Sequence, residues 1–328
     1  MGGHRPPLQR LTRIFPLLST ESLPEINGSG LICDLASCRG GHLNDYILSI
    51  LLGIIEGLTE FLPISSTAHL RIAESIFHIN LADGYWKMYT IVIQLGAILA
   101  LPVYFQARIR RLIVTFPQGE DGERTVLTNP LTLTIIAFLV TAIPAFLLTK
   151  VIGKNLENLT VIGASLAIGG VIMGVVDWIS SPPNRIQTWS MNEMTLAQAV
   201  WVGACQILSA VFPGTSRSMS TIAGGQLARM SRTAALEFSF FLSIPTMVVA
   251  VGYDLLKSIL PGREGSVSPA SIDAHGWIIL AIGFVVSFIV ALGAVQWFMG
   301  WVEKRGLIHF AGYRIFLGIL VLILSGSV

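Results

Sequence analysis

The chain has 328 residues, of which 53% are apolar and only 12% charged, with a mean hydropathy of +0.71. Ordinary soluble domains carry roughly 25% charged residues, so this composition argues against a soluble protein and for an all-α polytopic membrane protein. Twenty-one basic and nineteen acidic residues leave a formal charge of +2, so nothing in the charge balance points to nucleic acid as a partner.

Residues 1–44 are rich in Pro, Gly, Ser and Arg and contain no lysine. The start "MGGHRP" lacks the Ser or Thr a myristoylation site places at position six, and no uninterrupted apolar core of signal-peptide length follows. This stretch reads as a poorly ordered N-terminal tail, or as an over-extended start of translation. From residue 45 to 328 the chain reads as a single membrane-embedded domain.

The first segment of that domain, 45–78, opens on "YILSILLGII" and continues with "EGLTEFLPISSTAH". Three apolar runs come next, at 88–105, 131–148 and 158–176. A second polar-decorated segment, 195–230, contains "FPGTSRSMST". Runs at 238–253, 276–301 and 307–328 complete the chain, the last only if it tolerates Arg314. A spanning helix needs about 20 mostly apolar residues, so six runs predict six transmembrane helices. Cys33, Cys38 and Cys205 lack metal-site spacing.

The two polar segments resemble each other. At an offset of 150 residues, Gly53, Glu56, Leu58 and Pro63 fall on Gly203, Gln206, Leu208 and Pro213, in a shared G-x-x-[EQ]-x-L-x-x-x-x-P frame. The same offset sets Ser65 on Thr215, Ser66 on Ser216 and Ile72 on Ile222. Pro63 and the Pro213-Gly214 pair each interrupt a helix, and broken backbone at membrane depth must line a cavity or be buried in protein. The expected fold is therefore six transmembrane helices plus two re-entrant helix-loop-helix hairpins. Three spans per half give the second half, about 191–328, the opposite orientation to the first, about 45–190, which makes an inverted repeat.

Ionisable groups inside a membrane are functional candidates. Glu56 and Glu60 stand at i and i+4 on one helix face with no basic residue within a turn. Like charges there need a cation, a shared proton or a distant arginine. Ser65, Ser66 and Thr67 are N-cap residue types at a helix start, where free N–H groups favour an anion, and His69 lies one turn further on. In the second segment, Gly214 permits a tight turn, and Thr215, Ser216, Ser218 and Thr221 surround Arg217, whose five donors suit a phosphate. Arg217 is equally able to neutralise Glu60.

"GIIEGLTEFLPISSTAH" together with "FPGTSRSMST" resembles the two signature regions of the undecaprenyl-diphosphate phosphatase, or bacitracin-resistance, family, and the resemblance runs from about Asp45 to the C-terminus. It differs at Ala68, where glycine is usual, and in "SMST", where S-G-A-T is usual. The resemblance implies a bacterial plasma-membrane hydrolase that removes one phosphate from undecaprenyl diphosphate, recycles the cell-wall lipid carrier and confers bacitracin resistance, with bacitracin competing for the substrate. Its E-x-x-x-E motif lands on Glu56 and Glu60, its histidine on His69, and its P-G-x-S-R-S motif on Pro213 to Ser218.

That chemistry suits the residues. Arg217, both helix starts and a divalent cation, Mg²⁺ or Ca²⁺, held by Glu56 and Glu60 would bind the diphosphate. The nucleophile is Ser66 or an activated water, and His69 is the acid or base. The S-R-x₅-H-x₃-D pattern of the membrane acid phosphatases fails, because Ala223 and Leu227 stand where its His and Asp belong. The competing reading is a polyprenyl-phosphate transporter or flippase. A homodimer is left open. Arg108, Arg110, Arg111, Arg124, Arg185, Arg229, Arg232, Lys304 and Arg305 fall on one face, against Arg71, Lys87, Lys150, Lys154, Lys257 and Arg263 on the other. This excess puts the first face in the cytoplasm and the active site toward the periplasm.

Overall fold

The computed structural model describes residues 35–77, 79, 84–119, 122–148, 158–259 and 271–326, with side chains from Asp45 to Ser325. Among these residues the protein is helical, with no strand beyond one isolated bridge between Thr188 and Met230. Eleven α-helices follow in chain order: α1 Leu35–Thr59, α2 Ser66–Ile76, α3 Gly84–Tyr104, α4 Gln106–Val114, α5 Pro130–Leu147, α6 Leu159–Ser180, α7 Leu196–Val211, α8 Arg217–Leu227, α9 Arg232–Ile259, α10 Ala274–Arg305 and α11 Ile308–Gly326. Of the expected tail 1–44, residues 1–34 lie outside the described residues, and α1 already begins at Leu35.

Among the described residues six helices are long and apolar enough to cross a membrane: α3, α5, α6, α9, α10 and α11. They match the six expected spans within a few residues at most ends, and three of their starts carry side-chain caps. Asn129 caps α5 ahead of Pro130, Asn158 caps α6, and Asp273 caps α10. Thr195 and Gln198 form a reciprocal capping box at the start of α7. The short α4 lies where the sequence suggests only a loop. Its Arg108 ties it to Glu237 of α9 at 3.0 Å and to Asn192 at 2.7 Å.

Small residues set the helix contacts. A Cβ on Gly57 would lie 2.6 Å from the Ser287 carbonyl of α10, and one on Gly203 of α7 would lie 2.5 Å from the Ala137 carbonyl of α5. Each interrupted segment thus packs against a long helix of the other half: α1 on α10 and α7 on α5. Close approach through glycine is the usual means of joining helices where apolar burial gives no preference.

Two ends of the bundle are recognisable. At one, His275 at the start of α10 bonds Tyr46 (3.0 Å) and Asp45 (3.3 Å), and Tyr85 of α3 bonds the Gly276 carbonyl. Leu70 and Ala73 of α2 share a core with Leu52, Met88 and Tyr89, so α2 runs back toward this end. At the other end, Asp177 of α6 binds Arg232 of α9 and the Leu307 amide. There α8 returns beside α7, with Gln198 donating to the Ala228 carbonyl and Trp201 to the Gly224 carbonyl. Arg185 and Arg229 belong to this second end, because the Gln187 amide donates to the Arg229 carbonyl at 2.9 Å.

This arrangement predicts a labelling pattern. In a background without native cysteines, cysteines at Arg185 and Arg229 react with an impermeant reagent from the same side of the membrane, and one at Asp45 reacts from the opposite side. Labelling of Arg185 and Arg229 positions from opposite sides would refute it.

Candidate active site

Two helix interruptions create the site. Glu60 continues the last turn of α1, its amide bonding the Glu56 carbonyl at 3.0 Å, so the two carboxylates are stacked one turn apart. The chain then turns through Phe61 to Ser65 and restarts as α2. In the second segment it leaves α7 at Phe212, turns through Pro213 to Ser216 and restarts as α8. Ser65 and Ser216 both have a left-handed backbone, with φ of 73° and 71°. Each turns its hydroxyl forward to cap the new helix, accepting from the Ala68 and Met219 amides.

The repeat register shifts here. The α2 and α8 helices each have 11 residues and start at 66 and 217, an offset of 151 and not the 150 that holds as far as Pro63 and Pro213. Ser65 therefore corresponds to Ser216 and Ser66 to Arg217, which corrects the pairing of Ser65 with Thr215, Ser66 with Ser216 and Ile72 with Ile222. Between its proline and the next helix the second segment has one residue more than the first, and it contains Gly214, whose φ of +93° and approach to the Ile162 carbonyl (2.5 Å from a built Cβ) exclude a side chain.

The two turns meet at Glu60. Ser66 donates to Glu60 Oε2 at 2.5 Å, and Arg217 Nη2 donates to Oε1 at 2.9 Å. Both donors occupy the first position of their helices. Ser218 spans the junction in the other direction and donates to the Leu62 carbonyl at 2.9 Å, with Ser216 Oγ 3.1 Å away. Arg314 of α11, wholly buried, holds the backbones of both turns. Its Nη1 donates to the Pro63 carbonyl at 2.9 Å, and its Nη2 to those of Gly214 (3.0 Å), Thr215 (2.8 Å) and Ser165 (3.3 Å).

Several buried atoms of the site remain unsatisfied. Both carboxylate oxygens of the fully buried Glu56, Nη1 of Arg217 and Nε of Arg314 have no hydrogen-bond partner among the described residues. The ionisable groups around Glu56 are Glu60, Arg217 and Glu74, and Glu60, itself an acceptor, pairs with it only through a shared proton. Buried polar groups are normally paired, so such atoms ask for a ligand. Among the described residues no group of three or more His, Cys, Asp or Glu side chains forms a metal-ligand cluster. The donor set on offer is two carboxylates, with both Glu60 oxygens already engaged. It fits a hard cation only if phosphate and water oxygens complete the shell.

The other expected residues divide. Glu56, Glu60, Ser66, Arg217, Ser216 and Ser218 converge. Thr215 contributes its backbone, and Thr67 is half-buried in the first turn of α2, outside the Glu60 network. Thr221 turns away to Ser239 at 2.6 Å. His69 does not bond Ser66: its Nδ1 faces the Ser65 carbonyl at 2.7 Å and its Nε2 the Tyr313 hydroxyl at 2.6 Å. Sequence reasoning missed Tyr313 and the role of Arg314. The one signal was an arginine inside the last apolar run.

The fold and this centre define a helical multi-pass membrane protein with a carboxylate–serine–arginine site at the junction of two interrupted helices. The chain belongs to the family described as bacitracin resistance protein BacA, whose model matches residues 49–320. It is similar to curated proteins named undecaprenyl-diphosphatase. One from Koribacter versatilis (strain Ellin345) is 61% identical over 282 residues, covering 85% of this chain and 98% of the relative. Others, from Caldanaerobacter subterraneus subsp. tengcongensis and Rhizobium etli (strain CFN 42), are each 40% identical over 85% of this chain and cover 95% and 96% of their own lengths.

Arg314 gives the site its own test. Arg314→Leu leaves the Pro63, Gly214 and Thr215 carbonyls without their donor, at about 1–3 kcal/mol for each buried group left unpaired. The expected result is a thermal midpoint lowered by several degrees in detergent, with Arg314→Lys intermediate because it lacks the planar fork. An Arg314→Leu protein as stable as wild type would show that the two turns hold together without it.

Proposed function

We propose that this protein is a membrane-embedded undecaprenyl-diphosphatase, which hydrolyses undecaprenyl diphosphate to undecaprenyl phosphate and inorganic phosphate and so recycles the cell-wall lipid carrier. The observation that carries the reading is the double grip on Glu60, by a serine hydroxyl and an arginine whose second amino group is free. Bacitracin, as ligand of the same diphosphate, competes for the substrate. The site belongs to the outward half of a bacterial plasma membrane. The segments 45–78 and 195–230 are re-entrant hairpins of an inverted repeat, a reading supported by the return of α2 and α8 toward opposite ends of the bundle.

Each residue has a task. Arg217 Nη1 and the free amides at the starts of α2 and α8 bind the phosphoryl oxygens and stabilise charge that grows during transfer. Ser66 Oγ attacks the terminal phosphorus while Glu60 Oε2, already 2.5 Å away, takes its proton. The bond to the bridging oxygen breaks, undecaprenyl phosphate leaves, and water hydrolyses the phosphoserine to inorganic phosphate. His69, with Nδ1–H committed to the Ser65 carbonyl, has Nε2 for proton exchange with the leaving group or the water once the Tyr313 hydroxyl that faces it gives up the position. Glu56, with Glu60 sharing, would hold Mg²⁺ or Ca²⁺. Such an ion supplies charge neutralisation for the diphosphate.

Phosphate release from the detergent-solubilised protein, given C15 to C55 polyprenyl diphosphates, tests the reading. Chelator abolishes turnover and added Mg²⁺ or Ca²⁺ restores it, whereas Glu60→Gln stays inactive in excess metal. Full activity in chelator would remove the cation from the mechanism.

Arg217→Lys keeps the charge and loses the fork, so turnover falls by roughly 10²–10³ while affinity for a non-hydrolysable diphosphate analogue changes much less. A wild-type protein that binds the analogue and releases no phosphate from any of these lipids would be a transporter and not a phosphatase.

A further inference from the structure

We infer that Tyr313 is a positioning residue for the reaction, acting through His69. The inference rests on the phosphatase reading above and adds to it a residue that neither signature region contains.

The geometry begins at Nδ1. A ring nitrogen 2.7 Å from a backbone carbonyl must carry a proton, because the carbonyl oxygen of Ser65 only accepts. In the neutral ring the other nitrogen, Nε2, is then an acceptor. The Tyr313 hydroxyl lies 2.6 Å from it and donates. The rings also stack, with centroids 5.6 Å apart and planes 11° from parallel. His69 is thus restrained at both nitrogens and across its face.

Tyr313 is itself firmly placed. It precedes Arg314, whose guanidinium binds carbonyls of both turns, so the phenol is referenced to the same backbone that positions Glu60, Ser66 and Arg217. Ser65, the other anchor of His69, caps the helix that starts at Ser66. The imidazole therefore keeps a fixed relation to the reacting serine without bonding it. Tyr313 is 42% exposed, so the His69–Tyr313 pair lies at the outer surface of the helix bundle. There a phenol, able to donate to neutral Nε2 and to accept from a protonated one, holds the ring in both protonation states.

The test removes one atom. Tyr313→Phe keeps the stacking ring and loses the hydroxyl. Turnover is expected to fall roughly 10–100-fold, the scale on which a lost supporting group acts, with KM within two-fold of wild type. If Tyr313 works through His69, its effect vanishes once the histidine is gone, so His69→Gln/Tyr313→Phe turns over at the His69→Gln rate. Independently of activity, ¹⁵N-histidine spectra of the lipid-free protein show a neutral Nδ1–H ring for His69, identified by its loss in His69→Gln. Its Nε2 resonance moves in Tyr313→Phe. Any of four results would overturn the proposal: wild-type turnover in Tyr313→Phe, a rise in KM alone, multiplicative effects in the double variant, or an unmoved Nε2 signal. Because the spectra need no substrate, failure of the phosphatase reading is told apart by a wild type that gives the expected spectrum and releases no phosphate.

Discussion

A buried guanidinium paired with none of the described carboxylates sits where the two interrupted helices meet, and the site depends on it. Removing an arginine charge from water costs several kcal/mol, which is tolerable only where its donors find acceptors of fitting geometry. Breaking α1 from α2 and α7 from α8 supplies them, since a continuous helix would have used the carbonyls near its interruption. Arg314 collects the Pro63 carbonyl from one break and those of Gly214 and Thr215 from the other. The interruptions and the charge thus stabilise each other. The path to this point is narrow: a Cβ on Gly169 would fall 2.4 Å from Arg314 Nη2. Close packing of α6 on α11, with Gly318 against the Ala167 amide, brings the side chain within reach.

Strain at the two turns is the counterpart of this clamp. A serine with positive φ is uncommon, and such a conformation costs on the order of 1–3 kcal/mol and persists only where its surroundings over-determine it. Ser65 and Ser216 share it because each must reverse the chain and start a helix at the next residue. That next residue, Ser66 or Arg217, is then aimed at Glu60. Duplicate backbones with different side chains divide the chemistry: one turn brings a hydroxyl, the other a cation, and a single carboxylate receives both. The helices before the turns have diverged in the same way. Glu56 is matched by Gln206, whose amide donates to Thr246 at 3.1 Å, so the carboxylates gather in the first half alone.

Much of this was legible in the chain. The spans were readable from apolar length, and the breaks from Pro63 and Pro213. Glu60 and Arg217 were readable as a pair because opposite charges in an apolar run have few other means of existing. What stayed hidden shares one cause. Uniformly apolar helices such as α10 and α11 carry no sign of which face meets which neighbour, so the places of Tyr313 and Arg314, about 250 residues from their partners in the first turn, follow only from three-dimensional packing. The one-residue slip was hidden for a local reason: one residue more stands between Pro213 and its helix than between Pro63 and its own, and a constant offset cannot register an insertion.

The charges at the junction lead to a last consequence. Glu56 and Glu60 against Arg217 and Arg314 cancel formally, yet the four are not equivalent. Arg314 is spent on carbonyls, and Arg217 has one amino group given to Glu60 and one free. A diphosphate carries at least two negative charges at neutral pH, so its arrival would leave an excess of negative charge in a medium that screens it poorly. Two outcomes would relieve this: Arg217 would transfer its grip from Glu60 to the phosphate, or a cation held by Glu56 and Glu60 would supply the missing positive charge. The first would free Glu60 to take the Ser66 proton, and the second would use the oxygens of Glu56, which have no hydrogen-bond partner among the described residues. The two changes support each other, because a carboxylate released by its arginine is both a better base and a better ligand.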